Sequence, residues 1–130
     1  MKLLVTRSRQ ATEEDFQRLA AAIETYAPGV TEILHGGASG ADQLASRYAR
    51  ARGLPETVLL PDYVRYPPRV APILRNQELV RLADGVLALY CGQRSGGTAY
   101  TAALAAGAGK LLAEVYGEEG RAPLEQLGLW

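Results

Sequence analysis

The stretch HGGASGADQLA, residues 35–45, packs three glycines and a serine into its first six positions. It continues VTEILH (30–35), which reads as a short buried strand. It leads into Leu44 and Tyr48, spaced as the buried face of a helix. A tight turn needs one or two glycines. This density implies a main chain that something approaches closely, without a Cβ in the way. At the start of the following helix, free backbone N–H groups and the helix dipole attract a phosphate or a carboxylate. A plainer reading makes the segment a tight turn in which Ser39 and Asp42 form a capping box. Capping accounts for those two side chains but not for the glycines. The pattern is neither GxGxxG nor GxxxxGK[ST], so it is neither the dinucleotide fingerprint nor the P-loop.

Strand–turn–helix units recur on both sides of this segment. KLLVT (2–6) reads as a buried strand. Thr12 is placed to cap a helix with Glu13, Glu14 and Asp15 in its first turn and Phe16, Leu19, Ala20 and Ile23 along one face. Pro28-Gly29 ends it. ETVLL (56–60), GVLALY (85–90) and KLLAEVY (110–116) read as three more strands, with helices over about 71–83 and 98–106 between them. On the helix over about 71–83, Ile73, Gln77 and Val80 share one face, with Asn76 beside Ile73. The alternation predicts an α/β fold: one domain over 1–130 built on a doubly wound parallel sheet of about five strands, with helices on both faces. The tail, about 117–130, holds at most one helical turn in this reading. In such sheets ligands sit beyond the carboxyl ends of the strands, where connections leave for opposite faces. The loops 7–12, 36–40, 61–70 and 91–97 lie there, and they are the least regular and most glycine-rich parts of the chain.

Composition narrows the function. The 130 residues carry fourteen basic and fourteen acidic side chains, so no overall field draws in nucleic acid or an anionic membrane, and an anion site must be local. Cys91 is the single cysteine, which rules out an internal disulfide and fits a reducing, cytoplasmic setting. The opening apolar run is too short for a signal-peptide core, and no stretch reaches the roughly 20 apolar residues of a membrane span. With one histidine and one cysteine, no zinc site of the usual composition forms, and no metal is expected. A Ser-His-Asp triad would have to use His35, but there is no GxSxG elbow. The apolar end Leu127, Leu129, Trp130 must pack somewhere, and a second copy of the chain is one place.

The candidate ligand-binding residues follow from these loops. Gly36, Gly37, Ala38, Ser39, Gly40 and Asp42 come from the opening stretch. Ser95, Gly96, Gly97 and Thr98 repeat the arrangement after the fourth strand, before a helix of small residues. Arg7 and Ser8 follow the first strand. Arg75 is suited to a bidentate grip on phosphate or carboxylate, although taken alone a solvated helix face is the better explanation of it. The Asn76 amide is either satisfied within the fold or turned into a cleft. Asp62, Tyr63 and Tyr66 either line a base-binding wall or pack their loop down.

HGGASGADQLA, then PILRNQELV (72–80), then the Gly-Gly-Thr loop, taken in that order, resemble the small stand-alone proteins of the SLOG superfamily, nearest to its YspA/YpsA-related branch. The resemblance implies a Rossmann-like fold and a pocket for a nucleotide or nucleotide-derived ligand of the ADP-ribose type, with a sensing or binding role. It implies no particular cofactor. Relatives named LOG hydrolyse nucleoside monophosphates to base and ribose phosphate and carry PGGxGTxxE. Here Gly97-Thr98 match the GT, Arg94 and Ser95 depart from the first glycines, and the glutamate position falls on Thr101. Cleaving an N-glycosidic bond needs a carboxylate near the ribose, as in glycosidases. Asp42 or Asp62 would have to replace that glutamate. The resemblance therefore implies binding, with a LOG-like phosphoribohydrolase as the alternative. A further SLOG-related reading, single-strand DNA binding, needs a basic groove with stacking aromatics. Arg65, Arg69, Arg75 and Arg81 cluster in sequence, but the neutral charge balance argues against a nucleic-acid partner.

Overall fold

A computed structural model describes residues 1–7, 13–37, 41–90 and 96–116, apart from the side chains of 7, 41–43 and 96. Five strands and four helices alternate: β1 (Lys2–Arg7), α1 (Glu13–Tyr26), β2 (Glu32–His35), α2 (Ala41–Arg52), β3 (Glu56–Val58), α3 (Ala71–Leu82), β4 (Gly85–Tyr90), α4 (Gly96–Gly107) and β5 (Leu111–Tyr116). All strand pairs are parallel, in the order β3-β2-β1-β4-β5. This is the doubly wound α/β sheet that the alternation predicts. Among the described residues, no helix is long and apolar enough to cross a membrane.

Side chains alternate across each strand, so every apolar strand feeds two cores. Leu3, Val5, Ile33, Leu87 and Leu89 point to one face, where they meet Leu19 and Ile23 of α1 and Leu44, Tyr48 and Ala49 of α2. Leu4, Leu34 and Val86 point to the other, against Leu79 and Val80 of α3 and Ala105 of α4. Ala88, Tyr90 and Ala102 extend that second layer towards β5. Every residue of β4 is buried, as a central parallel strand covered on both faces requires. The connections leaving β1 and β4, which are neighbours, lead to helices on opposite faces. The switch point of the fold lies between them, at the carboxyl edge.

Two elements differ from the sequence reading. β3 stops at Val58 rather than at Leu60. The Leu59 amide still bonds to His35 O at 3.1 Å, but at Gly37 the chain takes φ +72° and leaves the ladder, so β3 has no further partner. On α3, Ile73 is exposed and Gln77 reaches out to the Tyr100 hydroxyl of α4. The buried face is Ala71, Leu79 and Val80 instead. The helix is rotated by what it must cover, the β4–α4 layer, rather than by the first apolar residue in the pattern.

Candidate ligand-binding site

The carboxyl edge is assembled from β2, β1 and β4 side by side. Gly36 and Gly37 follow β2, Arg7 ends β1, and Gly96, Gly97 and Thr98 open α4. Two residues of α3 span the gap between the glycine turns. The Arg75 guanidinium donates from NH1 to Gly36 O at 2.6 Å and to Leu59 O at 3.3 Å, and from Nε to Asn76 Oδ1 at 2.7 Å. It clamps the ends of β2 and β3, two strands that diverge there. Gly36 is required for this. A Cβ at that position would lie 2.6 Å from Arg75 NH1 and 2.8 Å from its Cζ. The guanidinium lies where any larger residue would put its side chain.

Arg75 also fixes the Asn76 amide. Because Nε–H donates, the atom it meets must be the amide oxygen, which leaves Nδ2 to face the start of α4. A Cβ on Gly97 would be 4.0 Å from that nitrogen. The first N–H groups of α4 have no acceptor within the helix. Asn76 therefore adds two donors beside a helix start that already favours an anion. Thr98 is buried within the first turn. Ser8, Ala38, Ser39, Gly40 and Ser95 lie outside the described residues, as do the side chains of Arg7, Asp42 and Gly96, and with them the Thr12 cap and the Ser39–Asp42 capping box.

Beneath the β2 turn runs a chain of hydrogen bonds that periodicity could not reveal. Buried His35 accepts the Gly37 N–H at Nδ1, 3.2 Å away, so that nitrogen carries no proton. The proton is on Nε2, which donates to Glu56 Oε1 at 2.8 Å. Glu56 Oε2 accepts the Ser46 hydroxyl at 3.1 Å, and Ser46 in turn accepts from Arg50 at 2.8 Å. The His35 bond, opposed by burial and aided by Ser46, holds the Glu56 carboxyl below its ordinary value of 4.5. A carboxylate with a depressed folded pKa contributes stability above its unfolded pKa, and that contribution disappears as pH falls through the folded value. Glu56→Gln is therefore expected to lower urea-derived stability at neutral pH and to flatten its fall below about pH 4.5, the two proteins converging in acid. An unchanged acid limb would show that Glu56 is not the linked group.

The turn itself is set by Gly37. Its φ of +72° is left-handed, and a Cβ there would stand 2.5 Å from Leu60 Cδ2 and 2.9 Å from Val58 Cγ1. Gly37→Ala is expected to cost about 2 kcal/mol, from left-handed backbone strain of ~1–2 kcal/mol plus displaced leucine and valine ends. Urea unfolding measures it directly.

The burial of Asp15 was not foreseen from sequence, and Tyr90, read there as either lining or core, is core. Asp15 is buried in the first turn of α1 and pairs with Arg18 at 3.1 Å. It sits on the Leu19–Ala22–Ile23 stripe at helical spacing, and a carboxylate within an apolar stripe is a signal that could have flagged it. Tyr90, fully buried at the end of β4, donates to Glu114 Oε2 at 2.8 Å and stacks on Tyr116 with centroids 4.9 Å apart. Thr101 is 1% exposed, and its hydroxyl has no hydrogen-bond partner among the described residues. No group of three or more His, Cys, Asp and Glu side chains is placed to hold a metal among the described residues.

A parallel sheet in the order 3-2-1-4-5, with helices on both faces and glycine turns at its carboxyl edge, defines a Rossmann-like α/β domain. Within that class the chain belongs to the YspA, cpYpsA-related SLOG family, whose model, YAcAr, matches residues 1–66. Neither a curated protein nor a solved structure gave a match to the chain. The matched segment contains the β2 glycine turn. It ends before Arg75, Asn76 and the start of α4, whose place in the site rests on the geometry above.

Proposed function

We propose that the chain binds a nucleotide or nucleotide-derived small molecule of the ADP-ribose type at the carboxyl edge of its sheet, as a sensor or binding module. One observation supports this above the others. Arg75 is bonded to the β2 turn and orients Asn76, so that the amide donors face the first turn of α4. Main-chain and side-chain N–H groups thus gather where a parallel α/β sheet takes its ligands.

Asn76→Asp provides the test. The carboxylate can keep the Arg75 Nε bond, so the fold survives, but the donors become acceptors. Calorimetry and thermal shift against nucleoside mono- and diphosphates and ADP-ribose derivatives should find a compound that raises the melting temperature. Asn76→Asp should weaken it by about tenfold or more, or ~1.4 kcal/mol. No shift with any compound at millimolar concentration, or equal binding by the variant, would overturn the reading. The same panel, assayed for released base, addresses the LOG-like phosphoribohydrolase alternative. The position matching that family's glutamate is a buried threonine, so turnover is not expected.

A further inference from the structure

Beside Arg75, on the side of the 59–66 loop, the surface folds into a recess of about 200 Å³. We propose that this recess seats a flat nitrogen heterocycle bearing an exocyclic amino group, the base of a free nucleotide. For the phosphate end alone, the proposal rests on the reading given above.

The volume comes first. Pockets that enclose whole drug-sized ligands span roughly 300–1,000 Å³, so this recess fits one ring system and leaves the rest of the ligand outside. Its walls are Leu59, Leu60, Leu74 and the Tyr66 ring. Leu60 is 67% exposed and Tyr66 37%. An apolar collar left open to water around a hollow is the surface that an apolar ring face would cover.

The polar lining then selects the ring. Asp62 and Glu78 both line the recess, and a carboxylate offers acceptors only. Both are held in place. Asp62 Oδ1 accepts the amides of Val64 at 3.1 Å and Arg65 at 3.0 Å, and Glu78 is ion-paired with Arg81. Two fixed carboxylates beside apolar walls match a ring whose edge carries N–H donors, as in adenine or cytosine. They repel the carbonyl edge of a 6-oxopurine. Arg75 lines the recess and also holds Gly36, so a base here adjoins the glycine turn where the phosphate of the same molecule would lie.

The experiment uses the whole chain with AMP, IMP, ribose 5-phosphate, adenosine and a short oligodeoxyadenylate, followed by calorimetry and by backbone-amide NMR. AMP should bind about tenfold more tightly than IMP or ribose 5-phosphate. Asp62→Asn retains the oxygen that takes the two loop amides, and Glu78→Gln retains the shape of the side chain. Together they should bring AMP to within about threefold of IMP and leave ribose 5-phosphate unaffected. Tyr66→Ala should weaken AMP and IMP alike. Equal affinity for AMP and ribose 5-phosphate, or an AMP-to-IMP ratio unchanged in the double variant, would overturn the proposal. So would tighter binding of the oligonucleotide than of AMP. Adenosine separates the two readings. If it perturbs the Leu60 and Leu74 amides while no phosphate compound binds, the anion site fails and the base site stands. If adenosine perturbs nothing, the base site fails whatever the phosphates do.

Discussion

Arg75→Ala is expected to destabilise the fold by about 2–3 kcal/mol, with charged hydrogen bonds contributing most of that loss. The guanidinium serves three acceptors, Gly36 O, Leu59 O and Asn76 Oδ1, all in part-buried settings. Truncation leaves two strand-end carbonyls and an amide to find water. Gly36→Ala should produce a similar but smaller loss, about 1–2 kcal/mol, because the new Cβ evicts the guanidinium instead of deleting it. The informative measurement is the cycle. In the Arg75→Ala background the three atoms nearest to the Cβ, all of the guanidinium, are gone. Gly36→Ala there should be neutral or slightly stabilising, since alanine lowers the entropy of the unfolded chain. Urea denaturation of the four proteins yields the coupling. Additive losses would mean that Gly36 is not kept small by Arg75.

The second large effect concerns Thr101. Installing the glutamate of the LOG pattern, Thr101→Glu, buries a carboxylate at a position only 1% exposed, where the threonine hydroxyl has no partner among the described residues. It should cost about 3–5 kcal/mol, the range for an uncompensated buried charge. It should also confer no release of base from nucleoside monophosphates. Thr101→Val, in contrast, removes an unsatisfied hydroxyl at nearly constant shape and should stabilise by about 1 kcal/mol. A stable Thr101→Glu protein that releases base would reverse the preference for binding over hydrolysis.

The order of the elements was legible because it is local. Short apolar runs bounded by glycine or proline, and apolar residues at helical spacing, are read within a dozen residues. The glycine turn after β2 and the small residues before α4 could be placed on one edge for the same reason, once the strands were parallel. The partners of the site residues were not legible, because they depend on register. His35 aligns with Val58, yet its side chain meets Glu56, two positions back along β3. Nothing in either segment alone announces that pair. Arg75 reads from sequence as an ordinary charged position on a helix. Its role depends on which strand ends lie within its reach, and a rotation of α3 that exposed Ile73 set that reach. Asp15 is the case in which a local signal existed but was outweighed by the more familiar preference of acidic residues for helix starts.

The pairing of β1 with β4 has a bearing on how the molecule matures. The main-chain N–H of Lys2 donates to the Asp84 carboxylate, 82 residues downstream, and Leu3 aligns with Gly85. The strand that founds the sheet waits for most of the polypeptide to emerge before its second neighbour arrives, and such distant closures are slow steps in assembly. Because α4 follows β4, a nascent chain halted at residue 84 has the first glycine turn but lacks the amides that face it.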